Sequence, residues 1–92
     1  MRVNVVFWSH KKSVELDLPF VPYPGARLVF PYAQPGRTGV LEYIVNKNVE
    51  YDVVHNVFRV TINSSNVLRE ELEILASAEN TQRIGKWKNT DT

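Results

Sequence analysis

The chain has 92 residues, 43% of them hydrophobic and 23% charged, with a formal net charge of +1 and no cysteine. That length supports one small core and not two, and the lack of cysteine excludes disulfide bracing, thiolate-bound zinc and a thiol nucleophile. Charges this evenly balanced, with no block of one sign, give none of the strong field on which sequence-independent nucleic-acid binders depend.

Residues 2–8 are rich in β-branched and aromatic side chains and read as a strand, with 9–12 as a polar hairpin loop. The apolar run stops far short of a secretory core or of the roughly 20 residues that span a bilayer, so the expected location is cytoplasmic. Val14, Leu16 and Leu18 alternate with Ser13, Glu15 and Asp17, the pattern of a half-buried strand. Pro19, Pro22 and Pro24 lack amide donors and interrupt pairing, after which Gly25 turns the chain. A third strand follows, with Ala26, Leu28 and Phe30 on one face and Arg27 and Val29 on the other, ending at Pro31. Residues 31–39, PYAQPGRTG, read as an exposed loop centred on a Pro35-Gly36 turn.

From Val40 the pattern is again β, VLEYIV and then VEYDVV, with the NKN between them marking a bend, a bulge or a strand end. VFRVTI, residues 57–62, follows a turn at His55-Asn56, where Asn tolerates the left-handed conformation. Asn66 is placed to cap a helix over about 66–78, with Glu70 and Glu71 at its positive end and Leu68, Leu72 and Leu75 on one face. Residues 79–92 lose periodicity and read as a flexible polar tail unless Ile84 and Trp87 dock. The expectation is one all-β domain, residues 1–78. It would be a small barrel of five or six strands with a short C-terminal α-helix, because closure removes exposed edges.

The hairpin, the Pro22-to-Gly25 entry into a strand, the loop, and then GVLEYIV, VEYD, a tight turn and VFRVTI together resemble the small Src-homology-3-like barrels of bacterial and bacteriophage proteins, over about residues 2–62. The resemblance implies a non-enzymatic binding or assembly module, phage or mobile-element encoded, and transfers no functional residue.

The chemistry is sparse. His10 and His55 fall in turns without locally spaced partners, and Glu42, Glu50 and Asp52 read as a solvated strand face. No phosphate-binding, dinucleotide, zincin or nucleophile-elbow motif occurs, so no catalytic residue, metal or cofactor is expected. Gly36, Arg37 and Gly39 could form an anion nest, but an exposed turn is the simpler reading. Aromatics lie close to cations. Trp8, Phe20 and Tyr43 suit the core, whereas Tyr23 and Tyr32, flanked by prolines, suit recognition. The expected binding residues are therefore Tyr23, Arg27, Tyr32 and Arg37, with the 31–39 loop as the binding loop and a protein partner or self-association as the outcome. Self-association would use the helix if the barrel left its leucines uncovered. The rival reading is a nucleic-acid-binding barrel that uses Trp8, Lys11, Lys12, Arg27 and Arg37.

Overall fold

The computed structural model describes residues 1–62, 67–77, 80, 84–85 and 87–89. Among the described residues six strands run β1 (Arg2–Phe7), β2 (Lys12–Asp17), β3 (Arg27–Gln34), β4 (Arg37–Asp52), β5 (Val57–Ile62) and β6 (Trp87–Asn89), and a short helix, α1 (Arg69–Leu75), lies between β5 and β6. They form a single sheet in the order β3-β4-β5-β1-β2-β6, curled into a half-barrel. All neighbours are antiparallel except β1 and β5, which run parallel because β2, β3 and β4 intervene in the chain. The order is open, and its two edges are β3 and β6.

Alternation places Val3, Val5 and Phe7 of β1 inside the curl, with Val14 of β2, Phe30 and Tyr32 of β3, Tyr43 and Val45 of β4, and Val60 and Ile62 of β5. Beneath them lie Val67 and, from α1, Leu72 and Leu75. The curl is made at the NKN segment. Val45 pairs with Ile62 and Val49 with Val60, so Asn46, Lys47 and Asn48 of β4 face only Thr61 of β5. A bulge of this kind bends its strand. The first half of β4 therefore continues the β3 ribbon while the second half joins the central sheet.

Three expectations need correction. The 31–39 segment is not a long loop: β3 continues through Pro31, Tyr32, Ala33 and Gln34, and only Pro35 and Gly36 turn the chain before Arg37 pairs back with Gln34. A proline fits inside β3 because β3 is an edge strand. Asn80 shows which way its backbone points. The Ala33 amide donates to Asn80 Oδ1 at 2.9 Å, and Asn80 Nδ2 donates to the Ala33 carbonyl at 3.0 Å. Ala33 thus faces outward from the sheet, and by the two-residue period so does Pro31, whose missing amide hydrogen costs no ladder bond.

The second correction concerns the helix. It is shorter than expected, Arg69–Leu75, and its first turn is satisfied by the Glu71 carboxylate, which accepts from the Leu68 amide at 2.9 Å. The expected cap, Asn66, lies outside the described residues. Leu72 and Leu75 are buried, so α1 covers the core instead of offering its leucines to a partner, and only Leu68 stays exposed.

The third concerns residues 79–92, whose described members are built into the fold. Asn80 is fully buried, Ile84 and Trp87 pack on the core, and Trp87–Asn89 pair with β2. Gly85, with φ of +149°, passes so close to β2 that a Cβ there would stand 2.6 Å from the Glu15 carbonyl oxygen. The sequence pattern missed this because a single buried Asn and a three-residue strand have no periodicity.

Asn80 Nδ2 also shares its hydrogens with the Ile74 carbonyl at 2.9 Å and Ser77 Oγ at 3.0 Å, so one carboxamide joins the β3 edge to the end of α1. Asn80→Ala takes the partner from the part-buried Ala33 amide and unties the β3 edge from α1, and a loss of about 1–3 kcal/mol in urea unfolding is expected. A loss below about 0.5 kcal/mol would show that water replaces the side chain freely.

Candidate binding surfaces

The β3-β4 ribbon carries most of the expected binding residues, but the structure distributes them unevenly. Tyr32 is only 8% exposed, because alternation turns it inward, and its phenol lies over Gly39, where a Cβ would meet the hydroxyl oxygen at 2.6 Å. It is a core residue and not a recognition ring. Tyr23 is exposed in the β2-β3 connection, in a turn closed by the Ala26 amide donating to the Tyr23 carbonyl. Arg27 opens β3 and Arg37 opens β4, at opposite ends of the ribbon. Seven strand positions, roughly 23 Å, separate them. They do not form one site.

The sequence reading missed the outward face of this ribbon. Register places Arg27 opposite Ile44, Val29 opposite Glu42 and Pro31 opposite Val40. Val29 (49%), Val40 (56%) and Ile44 (45%) are all exposed, and Arg27 Nη1 lies 3.5 Å from Glu42 Oε2. The face is thus an apolar stripe with one cation and one anion of its own. The signal was available: Val29, Val40 and Ile44 alternate with the inward Leu28, Phe30, Leu41 and Tyr43 and are themselves apolar, where a solvated face would be polar.

The rival face is also dispersed. Trp8 and Phe20 leave the core, at 61% and 64% exposed. Trp8 lies in a single 3₁₀ turn, Trp8–His10, which Lys11 closes in the left-handed conformation. Lys11 and Lys12 are exposed beside it, with Lys12 Nζ donating to Asn89 Oδ1 at 2.6 Å. Arg27 and Arg37 lie out on the β3-β4 ribbon, with Arg27 already facing Glu42. His10 is no free turn residue: its Nε2 lies 2.7 Å from the Val67 carbonyl oxygen. A carbonyl only accepts, so Nε2 carries the proton.

At the β4-β5 turn Asp52 organises the chain. Its Oδ1 accepts from the Val54 and His55 amides, and its Oδ2 is 2.8 Å from His55 Nδ1 and 3.0 Å from Arg59 Nη2. Asn56 takes the left-handed conformation the sequence implied, at φ of +54°, and its side chain meets the Tyr51 hydroxyl. The His55 ring bond first and the His55 amide second hold the Asp52 carboxyl well below the usual carboxylate range; they outweigh the opposing effect of burial, and Arg59 and the Val54 amide add smaller contributions. Among the described residues, no group of three or more His, Asp or Glu side chains could hold a metal ion, and no helix is long and apolar enough to cross a membrane. Compared with known proteins, the chain matches no family model, no curated protein and no solved structure.

Because the folded-state pKa of Asp52 is depressed, its contribution to stability is present above the unfolded value of about 4 and is lost as pH falls through the lower folded value. Asp52→Asn removes this dependence. The gap between parent and variant in urea midpoint should be largest near pH 6 and shrink steadily below about pH 4. A gap that stays constant to about pH 2 would contradict the assigned cause.

Proposed function

We propose that the chain is a non-enzymatic assembly module that binds a second copy of itself through the outer face of the β3-β4 ribbon. The observation that carries this is the exposed stripe of Val29, Val40 and Ile44 flanked by Arg27 and Glu42. Exposed apolar side chains that cluster on one ribbon mark a docking face. The face is also self-complementary in charge, so a two-fold arrangement sets the arginine of each copy against the glutamate of the other. Tyr23 and Arg37 flank the contact at its two ends.

A two-stranded ribbon offers only a few hundred Å² per copy, below the roughly 800 Å² of a stable standard interface. Association is therefore weak for free chains and becomes firm where several copies are held together. This suits a small Src-homology-3-like barrel in a phage or mobile-element assembly, working in the cytoplasm. Against an enzyme, the hydrogen-bonded His55-Asp52 pair has no nucleophile beside it among the described residues. Ser13 lies two strands away and four positions along the sheet, roughly 15 Å from that turn. Against a nucleic-acid binder, the cations are dispersed and several already face carboxylates.

Sedimentation from about 10 μM to about 1 mM tests the reading. The parent mass should rise toward a dimer, while the double variant Val40→Glu, Ile44→Lys, altered only at exposed positions, should stay monomeric. A parent that is monomeric throughout would contradict the proposal.

A further inference from the structure

The outer face of the central sheet carries a second surface, unrelated to the β3-β4 ribbon. On it the alternation that sends Val3, Val5 and Phe7 inward presents Arg2, Asn4 and Val6. Register aligns Glu50 of β4, Arg59 of β5, Asn4 of β1 and Glu15 of β2 in one row across four strands. These residues, with Lys88 of β6, line a groove of about 620 Å³ whose rim includes Trp8 and His55. That volume lies in the range of small-molecule sites.

The charges in the groove are already matched. Arg2 makes a two-pronged contact with Glu15, Nε to Oε2 at 3.2 Å and Nη2 to Oε1 at 3.0 Å. Arg59 lies 3.0 Å from Asp52 and 3.6 Å from Glu50. An anionic ligand would meet Glu15 and Glu50, a cationic one Arg2, Arg59 and Lys88, and either would have to compete with these pairs. A neutral ligand would not. The pairs hold planar groups in place, and a guanidinium has donors, and a carboxylate lone pairs, beyond those a single pair uses. Donors and acceptors therefore alternate along the groove at fixed spacing. Asn4 lines the same groove and sets a carboxamide between Arg59 and Glu15 in the row.

Vicinal hydroxyls each donate and accept, and are the ligand groups that fit such an alternation. At the rim, the 61%-exposed Trp8 indole offers an electron-rich face. The C–H groups of a pyranose, polarised by neighbouring oxygens, pack on such a face. From this combination we infer that the groove binds a neutral oligosaccharide of two or three sugar units, with one ring stacked on Trp8 and the hydroxyls of the next spanning Arg2, Asn4, Glu15 and Arg59. A nucleic acid would also stack on Trp8, but its phosphates would face the two glutamates.

The test is a ¹⁵N NMR titration of the full chain with cellotriose, maltotriose and chitotriose, each to about 10 mM, a range that captures millimolar affinity. At least one should shift the Trp8 indole signal together with the Arg2, Asn4 and Arg59 amides, and Trp8→Ala should weaken that binding at least about tenfold. Trp8 is exposed, so the variant keeps its fold, and its unchanged remaining spectrum verifies this. Val40→Glu should leave the sugar titration unaltered, which separates this surface from the assembly face. No shift with any of the three sugars, shifts confined to other surfaces, or salt-sensitive binding of a thymidine oligonucleotide to this groove in their place would overturn the inference.

Discussion

Everything in this half-barrel depends on the burial of Phe7. It is the last residue of β1, it is fully buried, and its ring centroid lies 5.1 Å from that of Tyr43, 5.3 Å from Trp87 and 6.3 Å from Phe30. Those partners belong to β4, β6 and β3. By hydrogen bonding, neither edge strand touches β1, since β3 is reached through β4 and β5, and β6 through β2. The aromatic cluster supplies the missing connection: it pulls both edges over one central strand, and edge-to-face contacts with Phe30 and Tyr43 fix the angle of the curl. The Tyr43 hydroxyl is buried without a hydrogen-bond partner among the described residues, and burial together with the negative charge of Glu71 pushes its pKa well above the usual phenol value. The ring is held neutral inside the cluster.

An open sheet leaves two edges to be managed. At β3 this is done by Pro31, which presents no outward donor, and by Asn80, whose carboxamide takes the place of the next strand at Ala33. This matters for assembly, because a long bare edge would recruit any extended chain. With the edge blunted, the proposed association through Val29, Val40 and Ile44 would stay on the adjacent face and would not propagate into a growing sheet.

Much of the fold was legible in the sequence. The strand at 57–62, the two hairpin turns at 9–12 and 55–56, the alternation of Leu28 and Phe30 against Arg27 and Val29, and the break at NKN all follow from local propensity and period. What local pattern cannot show is which strand lies at an edge. Pro31 looked like a strand end because a central strand would exclude it, and that single inference hid Tyr32 from the core and lengthened the loop. The same limit applies to Asn80 and Trp87, whose roles depend on where β2 and β3 present their backbones. Of the candidate site, Tyr23, Arg27 and Arg37 lie near turns or strand ends, as local pattern implied, whereas Trp8, which suited the core, is exposed. Their separation by whole strand lengths became visible only with the register. The Glu50-Arg59-Asn4-Glu15 row was invisible for the same reason: it is assembled across four strands, two of them parallel.

The two faces of the molecule thus follow from one curl. The inner side of β1 holds the aromatic cluster, the outer side of the same strand floors the groove, and the bulge in β4 swings the β3-β4 ribbon away so that its apolar face stands clear. The most direct test is the stability of Phe7→Ala by urea denaturation, with Phe7→Leu as the volume control. If Phe7 unites the edges with the centre, the alanine variant loses about 3–5 kcal/mol and leucine restores a good part of it. A loss below about 1 kcal/mol in the alanine variant would show that the edges are held by their ladders alone.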